Sequence, residues 1–385
     1  MIICFACQAE TKRQLDQLVK AGEYDDYGEA ISAAVANQVL LTQAVNSGGP
    51  LVLPLANLRR DDAGYGRQAL RTKRLQSERV AGPKPRDPRI PLLFSLDGLV
   101  PLSYEPAEPP PDPWGRVEAV PINRWLFGQH NRFLPVKASC RALAHLLEKA
   151  PAGVVLSEAA ATIATDAAEL GDFLSERDAK LGLKRDAAAA IAFPHSGPGL
   201  TKGRLRYASQ FVGGVSTDGQ LTGMLADLGL ICRIGFKGDV RVSLTAPGSA
   251  LAALMNPILD KPSLEPGLKL SPQETALLLQ HISHSVRAED YAYRVVLAGI
   301  DAGANTPDDL DETLASRVNE GKEPQISQAF LSTQRAGVVS RMVDLGLVLR
   351  VRDGLTVTYV VTASGKQYIK RDQHQAEAPA SRPSS

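Results

Sequence analysis

The sequence predicts a mostly α-helical protein with small β-hairpins. Three observations point there. Residues 227–248 (DLGLICRIGFKGDVRVSLTAPG) and 344–365 (DLGLVLRVRDGLTVTYVVTASG) share nine identities at a constant offset of 117. Upstream of each copy the apolar residues fall at helical spacing, as in Leu143, Leu146 and Leu147, or Leu277, Leu278 and Ile282. Within each copy two short alternating segments flank a turn, at Lys237-Gly238 or Asp353-Gly354, and Asp-Gly is a strong hairpin signal.

Bulk properties bound the rest. A chain of 385 residues suggests two or three domains, and with 5% aromatics their cores must be built from Leu, Val, Ile and Ala. The net charge of +1 excludes a uniformly basic protein, so any nucleic-acid contact must come from a local basic face. No apolar run approaches the roughly 20 residues that span a bilayer, and the N-terminus lacks the basic-then-apolar pattern of a signal peptide. The expected location is cytoplasmic, with no membrane association. Four cysteines are too few and too scattered for a disulfide framework. Cys4 and Cys7 form a C-x-x-C pair without two further ligands nearby, so they read as small apolar residues of a strand, with zinc or redox chemistry as the alternative.

In chain order, residues 1–45 come first. MIICFACQAE has strand length, and Thr11 offers a cap to a helix whose face is Leu15, Leu18 and Val19. Asp25 and Asp26 open a second helix with Ala30, Ile31, Ala34 and Val35 as its stripe. So small a strand-helix-helix unit needs a partner chain to bury its apolar face. The run LDQLVKAGEYDDYGEAISAAV resembles the two helices and turn of the ribbon-helix-helix family, and that resemblance implies a homodimer whose paired strands enter the DNA major groove. The strand offers Cys, Ala and Gln on one face and Ile, Phe and Cys on the other, where basic or amide readers are usual, and Lys12 and Arg13 lie just beyond it, so the unit reads as a dimeriser that contacts DNA weakly, or as a base reader.

Residues 46–121 form a basic, proline-rich connector. Between 59 and 89 ten Arg or Lys stand against four acids, a local charge of +6. Such a stretch either binds phosphates without sequence preference or is a solvated linker. Stiff extended chain is expected in its proline-rich half, where Leu92, Leu93, Phe94 and Leu96 are available to dock on a neighbouring domain.

The repeat defines two units, 122–262 and 263–371. LPVKASCRALAHLL (134–147) parallels LSPQETALLLQHIS (270–283), which aligns His145 with His281. Ser157 and Thr306-Pro307 read as helix starts. A further helix then ends in Asp-Leu-Gly-Leu, followed by the hairpin and a Thr-Ala-x-Gly step. The segment VVSRMVDLGLVLRVRDGLTVTYVVTASGKQYI resembles the winged-helix family. That resemblance implies that the helix before Leu-Gly-Leu is a recognition helix and the hairpin a wing. The second unit's helix, 333–345, presents Gln334, Arg335, Ser340 and Arg341, and its wing carries Arg350 and Arg352. The first unit's helix, roughly 217–228, carries Asp218, Gln220, Thr222 and Asp227 and no cation. Its DNA contacts, if it makes them and does not hold a protein instead, would come from Lys202, Arg204 and Arg206 before it and from Arg233, Lys237 and Arg241 on its wing. The tail, 372–385, is expected to be disordered.

No enzyme emerges. His281 and His284 with Glu289 nearby lack the His-Glu-x-x-His spacing of a metal site. Gly197-Pro198-Gly199 and Gly213-Gly214 do not match a phosphate loop, and no nucleophile elbow occurs. No cofactor or metal is expected. The sequence therefore implies a site-specific binder of double-stranded DNA, a dimeric transcriptional regulator. The rival reading is a non-catalytic DNA- or protein-binding adaptor subunit of a larger plasmid-maintenance or phage-defence assembly.

Overall fold

The computed structural model describes residues 89–99, 104–113, 119–235, 239–260, 269–319 and 326–376. The chain divides into two units, Met1–Arg86 and Asp87–Ser385, and every described residue lies in the second. The ribbon-helix-helix-like segment with Lys12, Arg13, Cys4 and Cys7, the basic stretch up to residue 88, Lys237 and residues 377–385 lie outside the described residues. What is described is mostly helical with small antiparallel sheets. No described helix is long and apolar enough to cross a membrane.

The first repeat begins with α1 (Phe133–Lys149), strand β1 (Val154–Val155) and α2 (Leu156–Lys180). Helix α2 starts at Leu156, one residue before the serine expected to cap it. Then come α3 (Leu200–Tyr207), a π-helical turn (Ala208–Val212), strands β2 (Gly214–Val215) and β3 (Leu221–Thr222), and a single turn, α4 (Met224–Asp227). Strands β4 (Ile231–Ile234) and β5 (Arg241–Leu244) and helix α5 (Ala246–Ala253) close the unit. The second repeat has α6 (Pro272–Ser285), α7 (Arg287–Asp301), α8 (Pro307–Asn319), α9 (Gln328–Asp344), β6 (Val348–Asp353), β7 (Thr356–Val361) and α10 (Ala363–Ala376). As expected, Thr306 caps α8: its hydroxyl accepts from the Asp309 N–H at 3.2 Å.

The repeated residues are used for the same purpose twice. Gly229 and Gly346 take φ of +63° and +70°, which lets the chain leave α4 and α9 by a left-handed residue. The next N–H, of Leu230 or Leu347, returns to the helix at the carbonyl of Leu225 or Met342, 2.9 Å in both copies. Thr245 and Thr362 then donate through their hydroxyls to the Gly229 and Gly346 carbonyls at 2.8 and 2.7 Å. Each hydroxyl also accepts from the N–H of Gly248 or Gly365, opening the last helix. A Cβ at Gly248 or Gly365 would lie 2.1 or 2.3 Å from the Leu230 or Leu347 carbonyl oxygen, so neither position admits a side chain without displacing the turn.

Two expectations about the repeat are corrected. By packing, the counterpart of α1 is α7 and not α6: α1 lies on α5 and β5, as α7 lies on α10 and β7. The Tyr359 N–H also donates to the Asn305 carbonyl just after α7, at 2.7 Å, where the first copy pairs Val154 with Val242 just after α1. The alignment of His145 with His281 therefore fails. Secondly, the long helix of the second copy, α9, has no continuous equivalent in the first. Positive-φ glycines at 213, 219 and 223 break residues 213–223 into the β2–β3 hairpin, leaving one helical turn.

The two repeats share one core. It runs from Phe94 and Tyr104 through Val120, Ile122 and Trp125 to Tyr368, so the expected boundaries at 121/122 and 262/263 do not separate cores. The docking role expected of the connector holds for Phe94, which is fully buried, while Leu92 faces outward. At the centre of the seam Lys137 and Arg141 of α1, both 0% exposed, meet the last carbonyls of α5. Lys137 Nζ donates to the carbonyls of Leu251, Ala252 and Leu254 at 2.5–3.2 Å and lies 3.1 Å from Glu274 of α6. Arg141 donates to the carbonyls of Ala252, Leu254 and Phe94 and to Asp260 at 2.5 Å. Carbonyls at a helix C-terminus lack intrahelical donors and carry partial negative charge, which explains why two cations are stable there.

Burial and the nearby Arg141 push the Lys137 ammonium down to about 8, against the opposing pull of Glu274. The unfolded chain therefore holds this proton more tightly than the folded one. The cost of burying the ammonium is fully present below pH 8 and is relieved as pH rises towards the unfolded value. Urea titrations at pH 7.5 and pH 10 should show wild type gaining stability relative to Lys137→Met; a difference that stays flat or falls refutes the burial effect.

Candidate nucleic-acid interface

Helix α9 holds the four residues expected to read DNA, and all four point inward. Gln334 is 1% exposed and donates to the Ile122 carbonyl at 3.2 Å. Arg335 grips the Asp311 carboxylate at 2.8 and 3.3 Å and donates to the Tyr359 hydroxyl at 3.2 Å. Ser340 is buried and accepts from Arg350 at 3.1 Å. Arg341 is 0% exposed, bonds Glu289 of α7 through two nitrogens at 2.5 and 2.9 Å, and donates to the His130 carbonyl at 2.5 Å.

The physical reason is a strap, residues 119–132, laid along α9. The backbones touch where both sides are glycine: a Cβ on Gly337 would lie 2.3 Å from the Gly128 carbonyl oxygen, and one on Gly128 would lie 2.1 Å from that of Thr333. At the end of α9, Asp344 accepts from the Phe133 N–H at 3.0 Å and lies 3.6 Å from Arg132. Asp227, its counterpart in the first repeat, meets the same strap through His130 at 2.9 Å. With α7 on one side and the strap on the other, α9 offers no continuous polar face to a DNA groove.

In the first repeat the expected helix 217–228 is a hairpin plus one turn. Asp218 and Gln220 sit in the β2–β3 turn and Thr222 on β3, so none lies on a helix. The Ser216 hydroxyl donates to Asp218 and holds its carboxyl below the ordinary value.

The remaining sequence-predicted cations are nearer the surface. Lys202 and Arg206 on α3 are exposed, while Arg204 is half-buried and donates to the Thr165 hydroxyl. Arg233 donates to the Gly219 carbonyl at 3.4 Å and Arg241 to that of Gly153 at 2.9 Å. Their register places them on opposite faces of the β4–β5 ribbon, since Arg233 pairs with Val242 and Arg241 with Ile234. Arg350 and Arg352 share one face of β6–β7, where Arg350 lies over the Tyr359 ring at 5.9 Å and Arg352 is exposed.

The opposite face of β6–β7 is apolar and open: Leu349, Val351 and Val360 are 57%, 47% and 47% exposed. The ribbon turns at Gly354-Leu355, one residue later than expected, and Leu355 at its tip is 99% exposed. Alternation in LRVRDGLTVTYVV assigns these residues to one face but carries no signal that the face is left uncovered. The histidines are structural: His281 Nε2 lies 2.7 Å from the Leu228 carbonyl oxygen and His284 Nδ1 2.7 Å from that of Gln280, and burial holds His281 below its ordinary value. Among the described residues no three His, Cys, Asp or Glu side chains cluster as a metal site would require.

These positions separate two kinds of arginine. Arg341→Ala leaves Glu289 charged and unpaired in the core, so it should cost roughly 3–5 kcal/mol in urea unfolding. Lys202→Ala with Arg206→Ala should leave stability within about 0.5 kcal/mol. Equal losses in the two variants would contradict the burial described for α9.

Compared with known proteins, the chain matches no family model, no curated protein and no solved structure.

Proposed function

We propose that the chain is a non-catalytic adaptor of tandem winged-helix-like units, which holds duplex DNA by its phosphates and carries a protein partner. The second repeat supports the winged-helix part. Its helix α9 ending at Asp-Leu-Gly-Leu, the β6–β7 ribbon and the Thr362 step into α10 follow the order that resemblance implies. The observation that carries the adaptor reading is the inward orientation of Gln334, Arg335, Ser340 and Arg341. Base readout needs side chains that reach base edges, and these are committed to the strap, α7, α8 and β6. Phosphate contact needs only accessible cations, which Lys202, Arg206, Arg233, Arg241 and Arg352 supply together with the basic stretch 59–89. The exposed apolar ribbon is a feature that DNA does not require and a protein partner does.

The second reading is the dimeric, site-specific regulator. Arg352 favours it, since an exposed cation near a protruding ribbon tip is placed to enter a groove.

Selection of bound fragments from random duplex DNA separates the two readings. The adaptor retains DNA with no enriched sequence, and its affinity falls linearly with the logarithm of salt concentration. Each cation removed, beginning with Lys202 and Arg206, should lower that slope by about 1 if it meets a phosphate. An enriched motif whose mismatches cost about 1–3 kcal/mol per base pair would establish the regulator instead, and no binding at low salt would remove DNA from both.

A further inference from the structure

The free edge of β6 is patterned, and beyond the fully buried Val348 and the half-buried Arg350 it is exposed at Val351, Arg352 and Asp353. Asp353 pairs with Thr356 across the two-residue turn, and Gly354 alone there has positive φ, at +57°. In such hairpins the closing pair exchanges its backbone hydrogen bonds, and pairs alternate from there. Leu349, Val351 and Asp353 therefore spend their backbone groups on β7, while Val348, Arg350 and Arg352 turn theirs outward. Among the described residues no strand pairs with that edge. The first repeat is treated differently, because β1 joins β5 and makes its sheet three-stranded. Sheet edges in soluble proteins are normally short, bulged, interrupted by proline or charged; β6 runs six residues without a bulge or a proline, and the only such device it carries is the charge of Arg350, Arg352 and Asp353.

We propose that β6 takes an extended segment of a partner protein as a third strand, and that this segment alternates apolar with acidic residues. The two faces of β6 set that chemistry. On one face Leu349 and Val351, continued by Val360 on β7, call for apolar neighbours. On the other face Arg350 is held by Ser340 and the Tyr359 ring, and the positive charge it shares with the exposed Arg352 favours acids across the new pairing. A second copy of this chain fits poorly, since antiparallel pairing of β6 with itself sets arginines against arginines. The exposed apolar face, with Leu355 beyond it, then lies beneath the body of the partner. The inference rests on the adaptor reading and supplies the chemistry of its protein partner.

The test uses the full chain and a fluorescein-labelled octapeptide of alternating valine and glutamate, with a valine–lysine octapeptide as comparator. Fluorescence polarisation should show the acidic peptide binding at least about tenfold more tightly. Hydrogen exchange should slow at the Arg350 and Arg352 amides and not at Val351. Arg352→Pro, which removes one outward N–H, should weaken peptide binding by about tenfold or more. No binding, equal binding of the two peptides, or protection elsewhere overturns the proposal, and the exchange pattern decides even where the proline variant does not fold. Titrating duplex DNA against the same proteins keeps the two conclusions apart: loss of peptide binding alone sinks the β6 site, and absence of DNA binding alone sinks only the DNA half of the adaptor reading.

Discussion

The organising constraint of this fold is the pairing of buried charges across the seam between its repeats. Helix α1 of the first repeat puts a lysine and an arginine into a place without water. Both find their acceptors in the chain that leads from the first repeat into the second. Glu274 illustrates the economy of that arrangement. It faces Lys137, accepts two bonds from the Asn256 amide and closes the N-terminus of α6 by a capping box with Ser271. Asp260 likewise accepts from Arg141, from the Leu96 N–H and from the Asn256 N–H. Such pairs contribute little net stability, because desolvation offsets the attraction. Their effect is specificity: any other packing of the repeats would strand a charge in the core.

The second repeat has its own version of this logic. Arg341 and Glu289 join α9 to α7, and the same guanidinium fixes the strap by the His130 carbonyl. Asp290 receives the Tyr368 hydroxyl at 2.6 Å and Arg294 at 2.9 Å, which ties α10 to α7. The polar groups that look most available for recognition in the primary structure are thus the ones that assemble the core. The groups left for recognition are an apolar ribbon face and a few scattered surface cations.

What could be read from the sequence follows the same division. The nine repeated identities encode turn geometry, which is local, so the helix ends, the ribbons and the threonine steps were legible. The α9 side chains were misread because their partners are remote. Gln334 meets Ile122 at a separation of 212 residues, and nothing in the local pattern around Arg341 distinguishes a solvated arginine from one that faces a buried glutamate. The broken helix of the first repeat was locally legible in GGVSTDGQLTG, but the repeat itself argued for a helix and prevailed. The exposure of Leu349 and Val351 was not legible, because alternation fixes which residues share a face and not whether that face is covered.

The strap has a consequence for how the chain comes to be folded. It lies near the start of the first repeat, and the helix it covers lies near the end of the second. As the chain leaves the ribosome, Lys137, Gly128 and His130 emerge long before Glu274, Gly337 and Arg341 exist to meet them. The α5 carbonyls and Asp260 that seat Lys137 and Arg141 belong to the first repeat, so what arrives late is Glu274 and the α9 partners of the strap. Those last contacts are of long sequence separation, 211 residues between Arg341 and His130, the kind of contact that slows folding.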